Sequence, residues 1–139
     1  MRVTAPIPDA VRDRLFQNFP PVASDIFGLQ LTHTYGTVPD HFPRHDLQVE
    51  ALGLYQDSDC SVLVVSVDGE QYRPDGTRYL IALSLDGYQL RPRDALNRVT
   101  EDQIQWLTEP LVIAAPGDGM RFRTLRARVD LPSLNPSYA

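Results

Sequence analysis

Residues 68–85, DGEQYRPDGTRYLIALSL, constrain this chain more than any other stretch. Two Asp-Gly pairs, Asp68-Gly69 and Asp75-Gly76, stand within eight residues of each other, and each asks for the positive φ that glycine tolerates. The chain therefore reverses twice and then enters an unbroken apolar run, 79–85. That run is too short for a helix and too uniformly apolar for a half-exposed strand, so it predicts a strand buried on both faces and central in a sheet. Alternation puts Tyr79, Ile81, Leu83 and Leu85 on one face, bulky enough for a core. Arg78, Leu80, Ala82 and Ser84 fall on the other, which suits either a looser second core or the floor of a groove.

The other elements are placed around that strand. The β-branched run 60–67 predicts its antiparallel partner, joined through the long polar hairpin. Residues 47–55 form a further strand with Gly53 as a possible bulge, and Asp57-Ser58-Asp59 is a turn. Upstream, 1–8 is an extended lead-in with two prolines, and 9–19 has helical spacing in Ala10, Val11, Leu15 and Phe16 before Pro20-Pro21 ends it. Residues 22–27 lead into a strand at 28–35, which sets Gln30, Thr32 and Thr34 against Leu29, Leu31, His33 and Tyr35. Downstream, 86–99 is mostly irregular. Thr100 and Gln103 have capping-box spacing, which predicts a helix over 100–107 with Trp106 in the core. A short strand at 111–115, a turn at 116–119 and an alternating strand at 120–129 follow, with Arg121, Arg123 and Arg126 facing solvent or a ligand. The outcome is one domain over 1–139, with a core at about 9–129 and a loose tail at 130–139. Its class is α+β, mainly antiparallel sheets, with about six strands and two helices.

Composition narrows the function. At 139 residues and a net charge of −5, the chain is long enough for a real core and too acidic for general affinity toward duplex DNA. No run is long enough to span a membrane and no signal pattern is visible, so a cytoplasmic protein is expected. The single Cys60 cannot form an intrachain disulfide and is expected to be a buried, inert thiol. All 13 basic residues are Arg. Biased codon usage accounts for that, and so would a need for bidentate phosphate contacts. His41 and His45, flanked by Asp40 and Asp46, have the spacing of metal ligands only on a helix, and Pro43 argues for a loop instead. No metal and no cofactor is expected.

The run 65–85, VSVDGEQYRPDGTRYLIALSL, resembles the second half of a 2H phosphoesterase domain, in the form associated with RNA ligases and 2′,3′-cyclic phosphodiesterases. Residues 28–36, GLQLTHTYG, are similar to the first motif strand of that family, where His-x-Thr runs on to an aromatic-Gly end. The resemblance covers about residues 25–110 and implies a 2H phosphoesterase-like fold with a groove between the two motif strands. Where the family carries His-x-Thr, this chain has Gln30-Leu31-Thr32 and Leu80-Ile81-Ala82. The family's histidines serve as general base and general acid on a phosphodiester, and its threonines hold phosphate oxygens. Gln exchanges no proton near neutrality and Leu has no proton to exchange, so help worth about a hundredfold to ten-thousandfold from each is gone.

The resemblance thus implies a catalytically inactive domain that binds a nucleotide, a cyclic oligonucleotide or an RNA end through Gln30, Thr32, Arg78, Ser84, Arg121 and Arg123. A second reading is a scaffold or inhibitor for a protein partner, since Leu80 and Ala82 make a wet groove apolar. A third is an active phosphodiesterase that recruits His33, His41 or His45. His33 is offset by three from the motif position, which turns it toward the core side. Oligomeric state is left open.

Overall fold

A computed structural model describes residues 2–22, 29–36, 38–86 and 92–125. The described residues form an α+β fold of seven strands in two antiparallel sheets with two α-helices. In chain order the elements are β1 (Arg2–Pro6), α1 (Asp9–Asn18), β2 (Gln30–Tyr35), β3 (Val49–Gln56), β4 (Cys60–Val67), β5 (Leu80–Leu85), α2 (Pro92–Asn97), β6 (Gln105–Ala114) and β7 (Arg123–Leu125), with one 3₁₀ turn at Glu101–Gln103. The smaller sheet has the order β2-β1-β7 and the larger the order β5-β4-β3-β6.

Hydrophobic burial explains the layering. Val3, Ala5 and Leu31 of the small sheet meet Val49, Leu63, Val65, Ile81 and Ile113 of the large one, and Val11 and Leu15 of α1 join them in one core. The opposite face of the large sheet carries Tyr55, Cys60, Val62 and Leu85, covered by Ala95 and Leu96 of α2. The strand buried on both faces is β4, whose eight residues are all buried, as a continuous β-branched run requires. Cys60 within it is fully buried, and burial beside Asp57 pushes its thiol up to about 11. No described helix is long and apolar enough to cross a membrane.

The turns form as their residues demand. Asp68 and Gly69 both take positive φ (51° and 86°), and Gly76 does the same at 87°. The predicted α1, the β4–β5 pairing and the bulge beside Gly53 are all present. A Cβ on Gly53 would lie 2.6 Å from Ile104 Cγ2 and 3.1 Å from Trp106 Cε3, so only glycine lets β3 and β6 approach this closely.

Five expectations are corrected. β5 is the edge strand, not a central one, and Leu80 and Ala82 on it are only half-buried. Residues 2–6 are not a lead-in but the middle strand of the small sheet. The helix expected over 100–107 stops after a single 3₁₀ turn, where the Thr100 hydroxyl donates to Gln103 Oε1 at 2.8 Å. The chain then extends as β6, paired to β3, which leaves Trp106 48% exposed instead of in the core. The irregular 86–99 region contains α2. The final strand is described only over β7; its predicted continuation with Arg126, the tail and residues 23–28 lie outside the described residues.

Candidate functional site: an arginine-walled cavity between the sheets

Strands β2 and β5 are the edges of their respective sheets and run past each other without pairing. Each carries a bulge. Val3 and Thr4 oppose Thr34 and Thr32, so His33 is the extra residue in β2; Ser61 and Val62 oppose Ser84 and Ala82, so Leu83 is the extra residue in β5. A bulge resets which face a side chain takes. Past His33, Tyr35 turns toward the same space as Gln30 and Thr32; past Leu83, Leu85 leaves the inter-sheet core for the α2 side. Between the two edges lies a cavity of about 740 Å³.

Its wall brings together what the sequence spread out. Gln30 and Thr32 line it from β2, and Leu80, Ala82 and Ser84 from β5, with Arg78 just ahead of that strand. The apolar lining is extended by Leu29, Leu96, Val99 and Ile104. Among the described residues, four guanidinium groups surround it: Arg2 from β1, Arg73 and Arg78 from the hairpin, and Arg93 from α2. Glu101 is the one carboxylate among the described lining residues. A protein with a net charge of −5 thus concentrates positive charge around one concave, partly apolar space, where low-dielectric walls strengthen the field.

Local contacts hold these cations in place. Arg73 donates from Nε to the Thr77 hydroxyl at 2.8 Å, pairs with Asp75 at 3.6 Å and lies over the Tyr35 ring at 5.2 Å. Thr77 in turn donates to Asp75, whose carboxyl is held below the usual range by that hydroxyl and by the Thr77 amide. The Asp75-Gly76 turn is therefore what aims Arg73. Arg93 also lies over Tyr35, at 5.9 Å. Arg78 pairs with Glu101 through Nε and with Gln71 Oε1 at 3.3 Å, and it stands over two rings, Tyr72 at 4.8 Å and Trp106 at 5.1 Å. Arg2 differs from the other three: its Nε is buried without a hydrogen-bond partner, the one such side-chain atom among the described residues.

The polar motif residues are anchored as well. Gln30 Oε1 accepts from the Thr4 hydroxyl at 3.4 Å, and Ser84 shares a 2.8 Å hydrogen bond with Ser61. Arg121 and Arg123 are exposed and are not among the residues around the cavity; Arg121 instead pairs with Asp46, whose carboxylate also takes the Gly117 amide at 2.7 Å.

None of the three histidines lines the cavity. His33 is buried on the core side, edge-on to Phe122 with ring centroids 5.0 Å apart and hydrogen-bonded to Thr34. Burial, and then the nearby Arg73 charge, lower its pKa. His45 pairs with Asp68 at 2.7 Å, and His41 is exposed in the non-helical loop before β3. The described cavity lining likewise contains no Cys and no Asp. What the wall offers is hydrogen bonding, positive charge and an aromatic face, the chemistry of holding an anion that carries an apolar or flat part.

Arg2, Tyr35, Arg73 and Arg93 escaped the sequence reading. Arg73 was the most accessible, since it belongs to the same turn sequence that suggested the groove. Arg2 and Arg93 come from elements whose existence the sequence did not announce. No family model, no curated protein and no solved structure matches the chain.

Proposed function

We propose that this protein is a non-catalytic 2H phosphoesterase-like domain that binds a phosphate-bearing nucleotide, cyclic oligonucleotide or RNA end between β2 and β5. One observation carries the reading: four arginines converge on an open cavity of about 740 Å³ in an otherwise acidic chain. That volume suits a nucleotide-sized ligand. Guanidinium groups match phosphate oxygens in bidentate geometry, and Tyr35 beside Arg73 and Arg93 provides a surface for a base. The positions that carry the family's proton-transfer groups are Gln30 and Leu80 here, and both line the cavity. Such a wall can grip a phosphodiester, but it lacks the family's pair of histidines, and its one described carboxylate, Glu101, is tied to Arg78.

The scaffold reading calls for a filled apolar seam between these strands. An open, positively charged space favours a small anionic ligand over a protein surface. Titration calorimetry with inorganic phosphate, 3′- and 5′-mononucleotides, 2′,3′-cyclic nucleotides, cyclic dinucleotides and short 3′-phosphorylated RNA tests the proposal. Saturable binding of at least one nucleotide is expected, without turnover of the cyclic ones and weakening with salt. No binding by any of them at high micromolar concentration would reject it.

A further inference from the structure

The cavity does not end the positively charged surface. Arg78 lines it and at the same time lies over two aromatic rings outside it, Tyr72 and Trp106. Both rings are roughly half exposed, Tyr72 at 51% and Trp106 at 48%. An exposed tryptophan is costly to leave in water, and this one is held on the edge strand by the close approach over Gly53. Two half-exposed rings thus share one guanidinium that also borders the cavity.

We infer that Tyr72, Arg78 and Trp106 form a stacking platform for the nucleotides that follow a cavity-bound terminus, so that the ligand is a single-stranded oligonucleotide end and not a free mononucleotide. The chemistry is that of sequence-tolerant single-strand binding: aromatic faces accept bases of any identity, and an arginine between them meets the backbone phosphate or joins the stack. Arg78 makes the two surfaces one. Its ion pair with Glu101 and its contact with Gln71 fix it at the boundary, where the phosphate between the first and second nucleotides would pass. The guanidinium of Arg78, with those of Arg2, Arg73 and Arg93 in the adjoining cavity, favours a phosphate-bearing chain over a basic protein strand on this surface. The inference rests on the cavity holding a nucleotide, and the test separates the two.

Trp106 is the sole tryptophan of the chain, so emission excited selectively at tryptophan, away from the six tyrosines, reports on this ring. The experiment titrates a 3′-phosphorylated mononucleotide, a 3′-phosphorylated RNA tetranucleotide and its DNA counterpart, by calorimetry and by tryptophan quenching. The tetranucleotides are expected to bind about tenfold or more tighter than the mononucleotide and to quench Trp106, whereas the mononucleotide leaves its emission unchanged. Trp106→Ala and Tyr72→Ala should each remove most of that gain while mononucleotide affinity stays put, and Trp106→Phe should keep most of it. Equal affinity for mono- and tetranucleotide without quenching overturns the platform and leaves the cavity intact. So does a Trp106→Ala variant that weakens both ligands alike, which marks the ring as structural. Binding of neither ligand removes the cavity reading and the platform with it. A tighter RNA than DNA tetranucleotide identifies an RNA end; equal affinities identify a general single-strand binder.

Discussion

Replacing Arg2 with methionine should weaken ligand binding and leave the fold as stable as before, or more so. The reasoning starts from what Arg2 does in the unliganded protein. Its backbone pairs with Tyr35 on one side and Leu125 on the other, and methionine keeps both pairings. Its side chain is partly buried, and Nε has no partner. An orphaned buried donor costs about 1–3 kcal/mol, more when charged, so an unbranched apolar replacement of similar length removes a penalty and fills the same space. We therefore expect urea unfolding of Arg2→Met to show a stability gain between ~0 and ~2 kcal/mol. Binding should move the other way. A charge-assisted hydrogen bond to phosphate contributes about 1.5–3 kcal/mol, or roughly a tenfold to hundredfold loss in affinity. If that contact is one of the phosphate-neutralising ones, the slope of log K against log salt should fall by about 0.7. Arg78→Met is the matched contrast. It would break the solvent-exposed pair with Glu101 and take away contacts to Gln71, Tyr72 and Trp106, so it should lose about 1 kcal/mol of stability as well as affinity. Calorimetry with a 3′-phosphorylated nucleotide and urea melts on both variants decide the matter. A clearly destabilised Arg2→Met protein with unchanged affinity would refute the reasoning, because the side chain would then be serving the fold and not a ligand. Sites that hold strain or unmet hydrogen bonds for a ligand show this opposition between stability and function.

Glu101 is the one described carboxylate in the cavity lining, so Glu101→Gln should tighten an anionic ligand by a few-fold, about what one partly screened charge provides, as calorimetry at low salt would register. Gly53→Ala should cost about 1–3 kcal/mol in urea unfolding, since its methyl carbon would press on buried Ile104 and on the ring of Trp106. Acid should unfold the protein in two stages. His33 has a lowered folded pKa, so the unfolded state takes up its proton first and stability begins to decline as pH falls through about 6.5. Asp57 follows. Burial alone would raise its carboxyl, but hydrogen bonds from Tyr55, the Asp59 amide, Arg98 and the Cys60 amide outweigh this and bring it to about 2. Its contribution, about 2 kcal/mol in full above pH ~4, is lost between pH ~4 and ~2. Urea midpoints against pH should lose the first stage in His33→Phe and the second in Asp57→Asn.

What could be read in the sequence was local chemistry with a single solution. Asp68-Gly69 and Gly76 had to take positive φ, and they do. The β-branched run of β4 had to be a strand, and it pairs with β5 as expected. The misreadings share a cause, which is pairing between segments distant in sequence. Thr100 and Gln103 bond to each other side chain to side chain and not to the backbone amides of a capping box, and one 3₁₀ turn is all that follows, because pairing with β3 outweighs the propensity of 105–107. Residues 2–6 looked like a proline-broken leader. Pro6, however, lies past the last β1 residue paired with β7, at a strand end where a missing donor is tolerated. The strand predicted at the centre of a sheet lies at its edge, since alternation and burial of the inter-sheet face look the same in either place.

The same limit hid most of the cavity's arginines and explains why the cavity exists at all. Two edge strands with complementary backbones would ordinarily zip into one continuous sheet. Here β2 is bulged at His33 and β5 at Leu83, which interrupts the regular ladder of donors and acceptors on each, and the two strands stay unpaired with the cavity between them. β1, the hairpin and α2 then each contribute cations to it, a convergence that no linear window contains. The surrounding acidity gives that convergence a consequence for specificity. A long duplex would bring many phosphates against a surface whose overall charge is −5, and they would repel. A chain terminus presents only one or two phosphates, which fit inside the arginine wall, within roughly a Debye length of about 8 Å, before the far field matters. On the function proposed above, local attraction under global repulsion would select ends over interiors without any contact that reads a base.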